Sequence, residues 1–425
     1  KNLKRVIILL DEKIEDIISF FNFYIAEEDI KKIIYIRHIR ASNINAENKN
    51  YYDNIHAVLI NNIKEKLMSL TSNYYFAPIW ARNIIYNLKL NKGYSIKTYK
   101  NILNKKIPLL LISAGASIDN YIEKIKELSK THFILVLSHA FNTLIKNDIK
   151  ADAIVSTDGG FYSSIHIIDS IKTKIPIFTT HTTYPFPITN IDKNRIFYFS
   201  HNESFEKIIY NCDNANNIYF PMEGSVIMPA LRIANFLNPK YIILAGCDFC
   251  HLNDKSHSKY SNAVALDFLS QSKLKTFEAL KYKRLNDNQN IECYDNILRK
   301  SSASLISYKS HFETLANEII KETEIFNLTK ESAKIENIKI CNNINSNCND
   351  KKNIIVNNYI EETINEKEFT KKLESFIKNI DNEIDENFAN MISPYHLSAL
   401  KENKISKTEF KEYIIKWHNE IKIIL

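Results

Sequence analysis

From Ile107 to Ala245 the chain repeats one pattern: a short continuous apolar run, a polar turn, then a segment with apolar residues at helical spacing. Runs of this kind read as strands buried on both faces, and their alternation with helices reads as a parallel, doubly wound sheet. The expected strands are Ile107–Ile112, Phe133–Leu137, Ala153–Ser156, Ile175–Phe178, Ile196–Phe199 and Tyr241–Ala245. Helices are expected from near Asp119, with Ile122, Ile125 and Leu128 on one face, at Phe141–Ile145, and over Ser225–Leu237 with Ser225 as N-cap. The fold class is α/β, a Rossmann-like and mainly parallel sheet.

The flanks read differently. Residues 1–105 open with an apolar run at Val6–Leu10, a helical stripe at Ile14, Ile17, Ile18 and Phe21, and a second run at Ile33–Ile36. This is a small α/β amino-terminal domain, and a helix near Trp80 leads out of it. The central domain spans 106–340. Its polar, irregular stretch 249–300 is expected to be an active-site flap. A long helix follows from Ser304 to about Glu322, then a strand at Ile325–Leu328. The Asn-rich stretch 342–352 is the expected linker, within a carboxy-terminal region of 341–425. Two apolar stripes in that region mark helices: Phe369, Leu373, Phe376, Ile380 and Ile384, then Phe410, Ile414, Trp417, Ile421 and Ile424. Such stripes pack on the parent domain or on a second copy in a homo-oligomer.

Composition narrows the function classes. Lys and Arg total 56 against 49 Asp and Glu, a net charge of +7 spread along the 425 residues. No compact basic block carries interleaved aromatics, which argues against a nucleic-acid groove. No apolar run reaches the roughly 18 residues that span a bilayer. Six cysteines are too sparse for a disulfide scaffold, so a reduced, cytoplasmic protein is expected.

All the glycines but Gly93 fall between Gly115 and Gly246, in or beside the turns of the repeated pattern. Ligands of open α/β sheets bind outside the carboxyl ends of the strands. The loop Ser113-Ala114-Gly115-Ala116-Ser117, between a strand and a helix, is the leading phosphate site, since a helix amino terminus offers unpaired N–H groups. A plain turn with an N-cap has the same local sequence. Thr157-Asp158-Gly159-Gly160 ends the next-but-one strand, and Asp158 there would bond a ribose or act as a base. Gly246-Cys247-Asp248 ends another, with the same logic; each also reads as a simple turn. Asn142, on the short helix, and Gly224 with Ser225, before a helix, complete the nucleotide-binding set.

His251-Leu252-Asn253-Asp254-Lys255-Ser256-His257-Ser258 follows a strand end, so His257 or His251 is a candidate general base. His181 is a further candidate. Cys247-x-x-Cys250-His251 has haem-attachment spacing and, with His257, a possible zinc set. A small apolar side chain at a strand end explains Cys247 equally well, so no metal is assigned.

These residues carry a resemblance. "IPLLLISAGASID" (107–119) resembles the G-A-G-P-S-L-D segment of the motility accessory factor (Maf) family, flagellin glycosyltransferases with an MptE-like central domain. In order follow "IKADAIVSTD" (149–158), "EGSVIMPALRIANFLNPKYIILAGCDF" (223–249), "HLNDKSHS" (251–258), "SASLISYKSHFE" (302–313) and "IFNLTKESAKI" (325–335). Each is similar to a family segment. The family proline is Ala116 here, and its late double glycine is Glu331-Ser332.

The resemblance implies a sialyltransferase-like central domain and a CMP-activated nonulosonic acid, such as pseudaminic or legionaminic acid, as donor. It implies Ser/Thr hydroxyls of flagellin as acceptor and no required cofactor. Gly115 and Ser117 would then stabilise the leaving phosphate, and His257, before His251 or Asp158, would take the acceptor proton. Two other readings stay open. One is a 6-hydroxymethylpterin pyrophosphokinase using ATP and Mg²⁺ with Asp158 and Asp248 as ligands. The other is a non-catalytic flagellin-binding motility factor.

Overall fold

The computed structural model describes residues 46–90, 92–102, 106–201, 218–221, 224–279, 289–341 and 392–424, with isolated positions at 17, 282 and between 371 and 389. The expected elements at Val6–Leu10, Ile14–Phe21 and Ile33–Ile36, and the linker at 342–352, lie outside the described residues, apart from Ile17, which is helical.

A helix of 44 residues, α1 (Ala46–Lys89), leads into β1 (Tyr94–Ser95) and α2 (Ile96–Ile102). The central elements then follow: β2 (Leu109–Ile112), α3 (Ile122–Leu128), β3 (Phe133–Leu137), α4 (Ser138–Lys146) and β4 (Ala153–Ser156). After these come α5 (Ser164–Ile167), β5 (Ile177–Thr179), α6 (Pro185–Thr189), β6 (Ile196–Tyr198), β7 (Ser200–His201) and β8 (Tyr219–Phe220). The second half holds α7 (Ile227–Phe236), β9 (Ile242–Ala245), α8 (Asn262–Leu269), β10 (Gln289–Glu292), β11 (Leu298–Ser301), α9 (Ala303–Ile319), β12 (Ile325–Asn327) and β13 (Lys339–Ile340). Helices α10 (Pro394–Lys401) and α11 (Lys407–Ile424) close the chain.

Among the described residues, nine strands form one sheet in the order β1-β6-β5-β4-β3-β2-β9-β12-β13. Its strand pairings are all parallel. The chain steps from β2 outward to β6, then returns to lay β9 against the other side of β2. That reversal opens a crevice at the carboxyl ends of β2 and β9, the usual ligand position in such sheets.

Successive residues of each strand feed opposite faces, as the pleat requires. Leu109, Leu111, Leu135, Ile242 and Leu244 pack with α7 and with Phe312 and Leu315 of α9. Leu110, Ile112, Ile134, Val136 and Ile243 pack with Ile125 and Leu128 of α3 and Phe141 and Leu144 of α4. Both faces are therefore covered, which is why the strands read as unbroken apolar runs.

The carboxy-terminal stripes pack on α1. Phe376, Phe410, Ile414 and Trp417 are buried with Ala81, Ile84, Ile85 and Leu88, and the Trp417 indole N–H donates to the Pro78 carbonyl at 3.5 Å. Phe369, Leu373 and Ile380 lie outside the described residues. The same half of α1 also grips the strand ends. Buried Asn83 donates through Nδ2 to the carbonyls of Gly159 (2.9 Å) and Thr182 (2.8 Å). Asn87 does the same to His181 (2.8 Å) and Thr183 (2.8 Å). Asn83→Ala would leave two buried carbonyls without this donor, at roughly 1–3 kcal/mol. The expected result is a loss of about 2 kcal/mol in chemical denaturation; an unchanged midpoint and slope would refute the clamp.

Three expectations need correction. Ser225 is not the N-cap: α7 starts at Ile227, its cap is Val226, and no side chain caps it. The Ser225 carbonyl already accepts from the Met228 N–H (3.1 Å), so the turn begins before the expected cap. Near Asp119 a short 3-10 helix, Ala116–Asn120, comes first and α3 follows it. The stretch 249–300 is not irregular throughout. It contains α8, capped by the Ser261 hydroxyl accepting from the Ala263 N–H, and the antiparallel hairpin β10–β11. The hairpin is mostly exposed, so no apolar alternation marked it.

Candidate active site

The turns after β2 and β9 are built against each other. The Ser113 N–H donates to the Ala245 carbonyl (2.9 Å), and the Gly115 N–H to that of Gly246 (2.9 Å). Gly246 has φ +70, and a Cβ there would lie 2.5 Å from both Ser113 O and Ile118 Cγ2. Gly115 is needed for a different reason. A Cβ there would overlap the Asp248 carboxyl and the Gly246 carbonyl.

The Asp248 carboxylate takes up both hydrogen-bond donors of Ser117. Its Oδ2 accepts from the Ser117 N–H at 2.8 Å, and its Oδ1 accepts a short hydrogen bond from the Ser117 hydroxyl. Ser117 is fully buried, Ala116 and Asp248 nearly so. The donors that Ser117 would offer a phosphate are therefore spent on a carboxylate of this chain, and a second negative charge beside it would be repelled. Burial, with the charge of Glu331, pushes the Asp248 carboxyl up to about 6 against the pull of the Ser117 bonds. The Gly115-Ala116-Ser117 turn and Asp248 are thus bound to each other, with the Asp248 carboxylate over the start of the 3-10 helix.

Glu331 also accepts from Asn120 Nδ2 at 3.1 Å. Ser332 joins Asn327 Nδ2 (2.6 Å) in a buried network that closes the end of β12.

The histidine loop after β9 is fastened down rather than free. The Ser258 N–H donates to the Ala114 carbonyl (2.9 Å), and its hydroxyl meets Thr143 Oγ1 (2.8 Å). The Lys259 N–H bonds the Asp119 carboxylate (3.0 and 3.2 Å). Asn142 donates to the Tyr260 carbonyl (2.9 Å) and to Asn262 Oδ1 (3.1 Å), and so helps to hold this loop. Ser261 Oγ donates to the His139 carbonyl (2.9 Å).

This fastening brings His257 toward the ends of β3 and β4. His139 follows β3 directly and stacks on His166 of α5, with ring centroids 3.8 Å apart and planes at 29°. Burial, then the neighbouring imidazoles His166 and His257, push His139 down to about 3. Burial lowers His166 as well, against the opposing charge of Asp158. His166 Nδ1 is buried and has no hydrogen-bond partner among the described residues. Asp158 is exposed and accepts the Gly160 N–H through Oδ1 (2.9 Å). His257 Nδ1 lies 2.9 Å from Ser256 Oγ. Asp158, His139, His166 and His257 are therefore one electrostatically linked group at the carboxyl edge of the sheet.

The remaining candidates stand apart or serve packing. The His251 N–H donates to the Lys300 carbonyl (2.8 Å), which ties it to the hairpin. Gly159 makes room for Trp80, whose Cδ1 would lie 2.8 Å from an added Cβ. Gly224 is exposed and Ser225 half-buried, at the amino end of α7. His181 is buried, stacked on Tyr198 at 3.7 Å, and held down to about 3 by burial. Cys247 is buried in the core, while the Cys250 thiol faces Cys293. Among the described residues no three His, Cys, Asp or Glu side chains form a metal-holding group.

Sequence reasoning named His257 and Asp158 but missed His139 and His166. The missed signal was available: His139 stands at a strand's carboxyl end, just as Asp158 does.

The buried imidazoles set a pH dependence. An ordinary histidine titrates near 6.5, whereas His139 and His181 sit near 3 and His201 near 4. Below 6.5 the unfolded chain takes up protons that the folded chain refuses, so stability falls as pH drops toward 3–4. Asp248 acts oppositely: folded it protonates near 6, unfolded near 3.8, so it gains stability as pH falls through 6. Three histidines outweigh one carboxyl. The expected net loss from pH 7 to 5 is on the order of 4 kcal/mol, read by thermal unfolding. A melting temperature that rises over that range would contradict it.

No helix among the described residues is long and apolar enough to cross a membrane. Residues 82–254 match the model of the family described as 6-hydroxymethylpterin diphosphokinase MptE-like. No curated protein matches the chain by sequence. Among solved structures, the Maf glycosyltransferase from Magnetospirillum magneticum AMB-1 is similar, with a TM-score of 0.53 and 12% identity over 87% of this chain. The chain spans 62% of that protein's length, and at this identity the likeness is one of fold. Residues 82–254 thus form an MptE-like domain, in a chain that shares the fold of a Maf glycosyltransferase.

Proposed function

We propose that the chain is a glycosyltransferase. It moves a nonulosonic acid, pseudaminic or legionaminic, from a CMP-activated donor to Ser/Thr hydroxyls of flagellin in the cytoplasm. The observation that carries this reading is the group of His139, His166, His257 and Asp158 at the strand carboxyl ends, with the buried His166 Nδ1 unpartnered among the described residues. The Maf likeness of the fold and the MptE-like domain support it.

In the proposed reaction the acceptor oxygen attacks the anomeric carbon, and the bond from that carbon to the phosphate oxygen breaks. His257 takes the hydroxyl proton, and CMP leaves with the bonding electrons. Uncharged His139 and His166 line the site and offer hydrogen bonds without adding positive charge. With Ser117 committed to Asp248, the nucleotide is assigned to Gly224 and Ser225, at the amino end of α7. Helix α7 directs its unpaired N–H groups there.

The matched family description favours a second reading, an ATP/Mg²⁺-dependent pterin diphosphokinase. A thermal-shift screen with CMP, CTP, ATP with Mg²⁺, and a pterin separates the two. Stabilisation by CMP without metal supports the transferase. A response confined to ATP with Mg²⁺ and the pterin supports the kinase, and silence throughout supports a binding factor.

A further inference from the structure

We propose that Cys250 and Cys293 are a reversible oxidation site, where a peroxide converts the two thiols into a disulfide at the base of the segment that carries His257. This chemistry is independent of the transfer reaction. The thiols come from different elements, 43 positions apart in the chain, and their sulfurs lie 3.7 Å from each other. Both side chains are buried. Shortening 3.7 Å to the roughly 2.05 Å of a disulfide moves the sulfurs together by only about 1.7 Å.

The surroundings make the two sulfurs unequal. Arg299 is held in place by two bonds to Asp295, at 2.7 and 2.6 Å. The Cys250 thiol and the Arg299 guanidinium, both bonded to Cys293, favour its thiolate, while Cys250 is pushed up by that same bond and by burial. Cys293 is therefore the attacking sulfur and Cys250 the resolving one. Cys247, three residues before Cys250, has no such arrangement: burial raises it, and the charge of Asp248 adds to the rise.

In the first step the Cys293 thiolate attacks one peroxide oxygen and the O–O bond breaks. Cys293 becomes a sulfenic acid, and the hydroxide released takes a proton to give water. Next the Cys250 sulfur attacks the Cys293 sulfur, the S–O bond breaks, and the departing hydroxide leaves as water with the Cys250 proton. The dithiol loses two electrons and the peroxide gains them.

The anchorage on each side is firm. The Cys293 N–H bonds the Ile297 carbonyl (3.1 Å), and the neighbouring Tyr294 N–H bonds that of Ser332 (3.1 Å). On the other side Asp248 caps the 3-10 helix. A bond between the two cysteines closes residues 251–292, including His257 and α8, into a covalent ring, and closing a loop of this length restricts the unfolded chain.

The test treats the full chain with hydrogen peroxide, alkylates the remaining thiols, and maps peptides without reduction. The expected product is a Cys250–Cys293 cross-linked peptide that dithiothreitol reverses, with a melting temperature higher by a few degrees. Cys250→Ser should instead accumulate a sulfenic acid at Cys293, trapped by a dimedone-type probe, and Cys293→Ser should show neither product. Both cysteines recovered alkylated, a cross-link to another cysteine, or a peroxide-induced rise that persists in Cys293→Ser would each overturn the proposal.

Discussion

His257→Ala is expected to lower sugar transfer by about 100- to 10,000-fold while CMP binding stays intact, the loss that removal of a general base produces. The side chain is half-buried and its loop is held by neighbours rather than by itself. Ser258 bonds Ala114 and Thr143, Lys259 bonds Asp119, and Ser261 bonds His139. Truncating His257 removes none of these, so the loop stays in place and the defect falls on the chemical step. CMP release gives the rate and calorimetry gives the affinity. His251→Ala is the control, since the His251 backbone is tied to the hairpin at Lys300. Its rate should fall far less. Equal losses in the two variants would remove His257 as base.

Gly246→Ala is expected to cost about 2–5 kcal/mol. A left-handed backbone costs a residue with a Cβ roughly 1–2 kcal/mol, and the overlap with neighbours adds about 1–3. The overlap is with Ser113 O and Ile118 Cγ2, each 2.5 Å from the added carbon, and the first is backbone with little room to yield. The turn after β2 and the Asp248 cap would shift together. Gly160→Ala is the comparison, because its added carbon meets Asp158 Oδ1 at 3.4 Å and nothing closer. That variant should stay within roughly 0.5 kcal/mol of wild type. Denaturation midpoints decide; comparable losses at the two glycines would contradict this account of the turn.

The parallel sheet was legible because its strands are buried on both faces. Phe133–Leu137 and Ala153–Ser156 match the expected runs end to end. The hairpin β10–β11 was not legible, since its residues face water and no core imposes alternation. The Asp248–Ser117 bond was hidden for another reason. Its partners are 131 positions apart, and only the reversal of strand order at β2 and β9 makes them neighbours. At Gly115 the neighbours that come too close for a Cβ are the Asp248 carboxyl and the Gly246 carbonyl, and neither is adjacent in the sequence. His139 and His166 show the same limit. Each alone reads as an ordinary buried histidine, and only their stacking, with His257 and Asp158 beside them, marks a site.

The central claim is tested most directly by incubating the chain with CMP-activated pseudaminic or legionaminic acid and flagellin, without added metal. Flagellin mass is then read by intact-protein mass spectrometry. The account predicts flagellin heavier by whole nonulosonic-acid units, with matching release of CMP, and no such change with His257→Ala. Flagellin of unchanged mass with either donor, from a chain that binds CMP, would contradict it.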